Sequence, residues 1–537
     1  MGIPVVIGVT GHRALRTQDI PLLREKVKQE LENLRASCPH SDIIMLNSVA
    51  SGGDSLCAEC ALELGIALIC PLPFPAEEYR KDFSAEDGVV YERLLERADS
   101  VFVVPDTEEV PSQSVSLENA SADAYRDFRY RQTGIYIATH SHVLLALWDG
   151  GPPEKGGCGT AEAVDFALRG SYRPASGPAF YHGGTMVIHI NAPREGAEGT
   201  AGERHICGTE QFPGVIVEKT ETFNRLASGK QEPGYPLLPE DAAADTMLRR
   251  LEDLYQGAEA LSMKAAVTFR RVVASLAVSG TVLTLAFLLY DEAELCWMIL
   301  LCGAMLVCAW ASLRHARKSE CHSRYIEYRA LAESLRVQAF LRYAGSAREL
   351  PELFTWTQLL ENGWIAAAVN AVIIGGGPPE EHDISLCWVE DQRAYHEKAA
   401  VKKGEMLKRN DWIVKTAAIC SIVFFLIVLA FELTAGDLSL IPGVISVDLN
   451  LYRAIFKIVL GSFSAATLFA SGYYGKLSLS RQVSDHHKME RFYREIGKQL
   501  SRWGQSEDLL VRLAREELTE NGNWYSYQQD NTPDISI

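Results

Sequence analysis

Val5-Val6-Ile7-Gly8-Val9-Thr10-Gly11-His12-Arg13 decides the fold. A β-branched apolar run enters a Gly-containing polar turn, and helical spacing follows in Leu22, Val27, Leu31 and Leu34. The same sequence of events recurs downstream. Ile43–Leu46 leads to Ser51-Gly52-Gly53-Asp54 and a helix reaching Leu64. Ala67–Cys70, Ser100–Val104, Val143–Trp148 and Met186–Ile190 read as four more strands. Near-continuous apolar strands separated by helices predict a parallel sheet covered on both faces. The expected fold is therefore an α/β doubly wound, Rossmann-like domain of about 190 residues.

In such sheets ligands bind beyond the carboxyl ends of the strands. Three Gly-rich loops gather there. Thr10, Gly11, His12 and Arg13 end the first strand, and Ser51, Gly52, Gly53 and Asp54 end the second. Asp149 ends the fifth, whose loop runs through Gly157, Gly159, Thr160 and Glu162 into a helix. Glycine lets backbone N–H groups approach a ligand, and a helix N-terminus favours phosphate. Arg13 suits a phosphate, while Asp54 and Glu162 suit ribose hydroxyls. Each piece also has a plain structural use, Gly11 in turning the chain and Asp54 or Thr160 in capping a helix. No loop has the Walker A spacing, which disfavours ATP hydrolysis. His140 and His142 flank Ser141 without a third ligand in view, so packing is expected there and no metal or cofactor is implied.

The 537 residues carry 52 Lys+Arg against 69 Asp+Glu, a net charge of -17. That balance argues against a nucleic-acid partner, because phosphate neutralisation needs surplus cations. A hydrophobic content of 47% excludes a disordered chain. Twelve thinly spread cysteines make no disulfide framework, and the lone Cys57-x-x-Cys60 reads as core packing. The opening MGIPVVIGVTGHR lacks a basic n-region, so no secretory signal is expected.

The order VTGHR, SGGD, LPFPAEEY, YRQTGIYIATHSHVLLALWDG and GGCGTAEAV resembles the SLOG superfamily over about residues 3–195. Relatives in that superfamily include the DNA-processing protein DprA and the cytokinin-activating LOG phosphoribohydrolases. The resemblance implies Gly-rich loops that hold nucleotides or nucleotide-derived ligands, and a sensor role in antiphage systems. LOG enzymes carry P-G-G-x-G-T-x-x-E. Here Lys155 stands in place of the proline, and Glu162 comes one residue early, a rotation of ~100° on a helix. Binding is thereby favoured over hydrolysis.

Four apolar runs follow: Val272–Tyr290, Leu295–Leu313, Thr416–Leu433 and Ala454–Tyr474. About 19 residues at ~1.5 Å each give about 28 Å, enough for a bilayer core. Lys264, Arg270 and Arg271 precede the first run, and Arg314, Arg317 and Lys318 follow the second. Lys403, Lys408, Arg409 and Lys415 precede the third, and Lys476 and Arg481 follow the fourth. The positive-inside rule predicts two hairpins with both termini cytoplasmic, and the resemblance implies a bacterial inner membrane. His322 with Tyr328-Arg329, and His487 with Tyr493-Arg494, share the pattern H-x5-Y-R-x-[LI]-[AG]-x-x-L, which suggests duplication. This half resembles the SLATT domain, a two-helix membrane unit, through YRALAESLRVQAFL and the Glu-Asn-Gly endings.

The expected organisation is a sensor domain over 1–200, a linker and cytoplasmic helix over 201–265, and hairpin units over 266–375 and 390–537. The expected function is a ligand-gated membrane effector of a prokaryotic antiphage system. The resemblance implies as ligand a nucleotide-derived second messenger, cyclic-nucleotide or cyclic-ADP-ribose-like, supplied by a nucleotidyltransferase or TIR-domain protein. The other partners are the lipid bilayer and further copies in a homo-oligomer. The alternative is a membrane-anchored nucleotide or N-glycoside hydrolase of the LOG type, with Glu162 or Asp54 as acid/base.

Overall fold

The computed structural model describes residues 2–105, 122–152, 159–169, 185–208, 212, 214–229, 236–438, 449–476 and 479–530. Among these, seven strands form one sheet in the order β4-β3-β2-β1-β5-β6-β7. They are β1 (Val5–Gly11), β2 (Ile43–Leu46), β3 (Ala67–Leu72), β4 (Ser100–Val103), β5 (Val143–Trp148), β6 (Met186–Asn191) and β7 (Arg204–Cys207). The first six pair in parallel, in the places the apolar runs predicted. The seventh departs from a wholly parallel sheet. β7 folds back antiparallel on β6, with His189 opposite His205, and closes that edge. Its four residues, Arg-His-Ile-Cys, are too short and polar to announce a strand.

The helices between strands are α1 (Ile20–Ser37), α2 (Gly53–Glu63), α3 (Ala76–Tyr79), α4 (Ala85–Arg97), α5 (Ala122–Thr139) and α6 (Thr160–Arg169). α1 has Pro21 in its first turn and buries Leu23, Val27, Leu31 and Leu34, one face of a 3.6-residue period. α4 starts at Ser84, whose hydroxyl accepts the Asp87 N–H at 3.0 Å. On β1 the two faces separate by parity. Val5, Ile7 and Val9 join the core that α1 and α2 cover. Gly8 faces α5, where an added Cβ would lie 2.9 Å from Ile137. The sheet is thus covered on both faces, and truncating Ile7 to Ala would cost about 2–5 kcal/mol.

Beyond the sheet lie α7 (Val215–Ala227), α8 (Thr246–Glu292), α9 (Met298–Ser319), α10 (Cys321–Tyr343), α11 (Trp356–Ile373), α12 (Asp391–Leu438), α13 (Leu449–Lys476), α14 (Leu479–Trp503) and α15 (Glu507–Asp530). Residues 201–265, expected as linker and cytoplasmic helix, hold β7, α7 and the start of α8. Two compact units result. One joins Met1–Ala260 with Ala330–Asp383 and Ser506–Gly522, and the other joins Leu261–Arg329, Ile384–Gln505 and Asn523–Ile537. In the first unit His140 pairs with Glu349 at 3.1 Å, and Asn370 Nδ2 donates to the Thr139 carbonyl at 3.2 Å. Buried Arg336 pairs with Glu333 at 2.7 Å.

Among the described residues, three helical stretches are long and apolar enough to cross a membrane: Thr246–Glu292, Met298–Tyr343 and Ser385–Leu433. Leu300, Val307, Ile419, Ile422 and Leu426 on them are exposed, as lipid-facing side chains are. The run Ala454–Tyr474 falls on α13, some of whose side chains lie outside the described residues. The order of elements repeats. α8 and α9 precede α10 and α11 as α12 and α13 precede α14 and α15. Tyr328, Leu331 and Leu335 on α10 are buried, as are Tyr493, Ile496 and Leu500 on α14. Phe269 of α8 packs on His322 and Tyr325, and His396 of α12 packs on His486 and Tyr493. The shared sequence pattern thus marks matching buried stripes.

Candidate functional site

The strand order reverses between β1 and β5, so the crevice beyond their carboxyl ends is the topological switch point of the sheet. His12 leaves β1 there and Asp149 leaves β5. His12 is buried, with Nε2 3.1 Å from Asp149 Oδ1. The Asp149 backbone N–H donates to the same Nε2 at 3.2 Å, and Arg194 Nε–H at 3.3 Å. A neutral ring accepts from those donors, while a protonated ring donates to the carboxylate. Burial pushes the His12 pKa down, against the pull of Asp149. Burial works to raise Asp149, but the Gly151 N–H, His12 and Arg194 outweigh it and hold it below the ordinary carboxylate range. Arg194 also pairs with Asp149 Oδ2 at 3.2 Å.

Arg194 did not stand out in the sequence, because it lies in an Ala-Pro-Arg turn whose following glycines, Gly196, Gly199 and Gly202, do not lead into a helix. The signal available was its place just past β6. The chain after β6 meets the chain after β1 through a Leu15–Arg194 bridge and a Glu195 N–H donating to the Ala14 carbonyl at 3.1 Å.

The first two Gly loops are joined to each other. The Gly53 N–H donates to the His12 carbonyl at 2.9 Å. Gly11 and Gly53 stack backbone on backbone, an added Cβ on either meeting the other's Cα at 2.8 Å. These two glycines therefore let β1 and the start of α2 touch, beside any service to a ligand. Gly52 sits at φ +83°, with Ser51 before it in the turn. Thr10 lies within β1, opposite Ala146.

Asp54 is buried in the first turn of α2, where Ser48 Oγ donates to its Oδ2 at 2.9 Å. Burial pushes its carboxyl up to about 7, with Ser48, Arg13 and the backbone of Ala50 and Gly11 pulling the other way. Arg13 is exposed and lies over the Tyr130 ring, 5.3 Å from its centre. Tyr130 in turn donates to Asp82.

The third loop is reached only in part. Gly157 lies outside the described residues. The Gly159 carbonyl accepts the Glu162 N–H at 3.1 Å, and Thr160 opens α6. Glu162 Oε1 accepts from Arg131 Nε of α5 at 3.0 Å, and burial raises its pKa against that ion pair. Glu162 is thus held by Arg131, a side chain with no motif to mark it in the sequence. His140 and His142 do not share a site. His140 faces Glu349, while His142 Nδ1 accepts the Val6 N–H at 2.9 Å.

Three buried polar atoms near the carboxyl edge have no hydrogen-bond partner among the described residues: Asp54 Oδ1, Trp148 Nε1 and Glu162 Oε2. Buried polar groups are nearly always paired, and an orphan costs about 1–3 kcal/mol. Here an indole donor at the end of β5 and two carboxylate acceptors at the starts of α2 and α6 are left unpaired. Cys57 and Cys60 are buried in the core beneath, with burial raising both thiols. No protein-family model matches the chain. No curated protein matches it either.

Proposed function

We propose that this chain is a ligand-gated membrane effector. A nucleotide-derived second messenger, cyclic-nucleotide or cyclic-ADP-ribose-like, would occupy the crevice between β1 and β5. The observation that carries this reading is the set of unpaired atoms, Asp54 Oδ1, Trp148 Nε1 and Glu162 Oε2. Their residues stand at the start of α2, the end of β5 and the start of α6, on the edge where parallel sheets take ligands. A ribose hydroxyl suits the carboxylates, a base carbonyl suits the indole N–H, and a phosphate suits Arg13 and Arg194.

The effector part is the pair of apolar hairpins, with α13 supplying a fourth crossing and both termini in the cytoplasm of a bacterial cell. Ligand shifts the membrane helices only if it binds one arrangement better than the other. α8 runs from Thr246 into the first apolar run and is the natural carrier of that shift. By the sequence's resemblance to SLOG and SLATT domains, such an effector would act in antiphage signalling. Its messenger would come from a nucleotidyltransferase or TIR-domain protein, and its active form would be a homo-oligomer.

The test is calorimetry and dye release on the full chain in liposomes, with cyclic dinucleotides and cyclic ADP-ribose as probes. Release is expected only with the bound messenger, and Arg13→Ala should weaken binding at least tenfold while the protein stays inserted. Release without any messenger would sink the gating claim. Arg13 is the better probe because it is exposed, whereas Gly53→Arg would break the Gly11 contact and the fold with it.

A second reading rests on Asp54. A carboxyl near 7 at the start of α2, on the carboxyl edge of the sheet, has the value a general acid/base needs, which favours a nucleotide or N-glycoside hydrolase. Nucleotide turnover that disappears in Asp54→Asn would establish that reading instead.

A further inference from the structure

A cavity of about 800 Å³ opens at the opposite, amino-terminal edge of the sheet, by the starts of β1, β2 and β3. It lies within the first compact unit. Three guanidinium groups line it: Arg35, Arg250 and Arg342. Two of them are committed. Arg342 Nε pairs with Asp245 Oδ2 at 2.7 Å and its Nη1 donates to the Gly377 carbonyl at 3.1 Å. Arg35 donates to the Leu64 carbonyl at 2.6 Å.

Arg250 differs. Its Nε is buried, and among the described residues nothing accepts a hydrogen bond from it. Asp42 offsets its charge only from a distance. The other acidic group in the lining is Asp245. It is already spent, on Arg342 and on the N–H groups of Met247 (2.7 Å) and Leu248 (3.3 Å). A buried N–H left without an acceptor is costly unless something supplies one. Ile43, Ile66, Met247 and Ile374 give the wall an apolar part, alongside Ser41 and Thr246. The volume is in the range of small-molecule sites and far larger than a bare phosphate needs.

We propose that this cavity binds a soluble phosphomonoester of nucleotide size, its phosphate on Arg250 and its ring on the apolar wall. The site is separate from the carboxyl-edge crevice and does not rest on the reading of that crevice. Arg250 lies in the second turn of α8, so occupancy would act on the helix that carries the first apolar run.

The probes are adenosine monophosphate, inorganic phosphate and adenosine, titrated into the full chain in detergent micelles. Adenosine monophosphate should bind saturably and raise the thermal midpoint, inorganic phosphate should bind at least tenfold more weakly, and adenosine should not bind measurably. Arg250→Met should raise the midpoint of the unliganded protein, because it removes a guanidinium whose buried Nε has no acceptor among the described residues, yet weaken adenosine monophosphate binding more than tenfold. A role in folding alone does not predict those opposite signs. Arg250→Lys keeps the charge without the fork and should lose affinity by a smaller factor. Arg13→Ala should leave binding unchanged. Unaltered affinity in both Arg250 variants, equal binding of adenosine, or no binding at millimolar ligand would overturn the proposal. Loss of binding in Arg13→Ala alone would also overturn it, and would assign the nucleotide to the carboxyl-edge crevice.

Discussion

Asp54 and His142 give folding a pH dependence of opposite signs. The Asp54 carboxyl rises from an ordinary 3.8 to about 7 on burial. Above pH 7 the folded state must hold a carboxylate its surroundings disfavour, a penalty of up to ~4 kcal/mol. As pH falls from 7 towards 3.8 the folded carboxyl takes a proton that the unfolded one does not, and the penalty is relieved. His142 is driven the other way, from 6.5 down to about 4, by burial. Below pH 6.5 the unfolded state takes a proton the folded imidazole refuses, so stability is lost as pH falls towards 4, by up to ~3 kcal/mol. Asp54→Asn should therefore raise the thermal midpoint at pH 8 and lose that advantage near pH 4. His142→Gln, which keeps an acceptor for the Val6 N–H, should flatten the acid limb. Thermal melts across pH 4–8 check both. An Asp54→Asn midpoint below wild type at pH 8 would mean that Arg13 and the α2 N-terminus outweigh burial.

At the scale of elements, the hairpins make a prediction about sidedness. Single cysteines at Glu292 and Asp437 should react with an impermeant reagent added outside intact cells, and one at Gln499 should not. Labelling at 499 from outside would reverse the proposed topology. The parallel strands were legible because each is an apolar run ended by Gly and polar residues, a signal written locally in the chain. The same holds for the apolar helices, whose length needs no partner to be seen. What was not legible depends on tertiary pairing. β7 is a strand only because β6 offers it an edge, and Arg194 joins His12 only because two loops bridge. The ion pair that holds Glu162 comes from Arg131, 31 residues earlier in the chain. The Gly11–Gly53 contact shows the converse, a motif visible in sequence whose close packing appears only when both loops are placed.

At the scale of the whole molecule, the first compact unit is assembled from three separate stretches of chain. A fragment ending at residue 200 stops short of β7 and α7, and one ending at 505 lacks α15. Leu513, Ala514 and Leu518 of α15 are buried, as is Glu517, whose carboxylate lies 3.4 Å from Arg336. Losing the two leucines alone removes about 3–6 kcal/mol of burial. A chain truncated at 505 should therefore be cut by added protease within 330–383 much faster than the full chain, as mass spectrometry of the products would reveal. Equal resistance would mean that Ser506–Gly522 is dispensable to the unit. The same division has a consequence for how the protein is made. Ser506–Gly522 leaves the ribosome after every apolar run has been synthesised. At about 5–20 residues per second, the roughly 245 residues between Ala260 and Ser506 take about 12–50 s to translate. Throughout that interval the strands are out while the last piece of their unit is still unmade. The nascent chain must wait for its own C-terminal end, a window in which chaperones, rather than native packing, keep the exposed surface from aggregating.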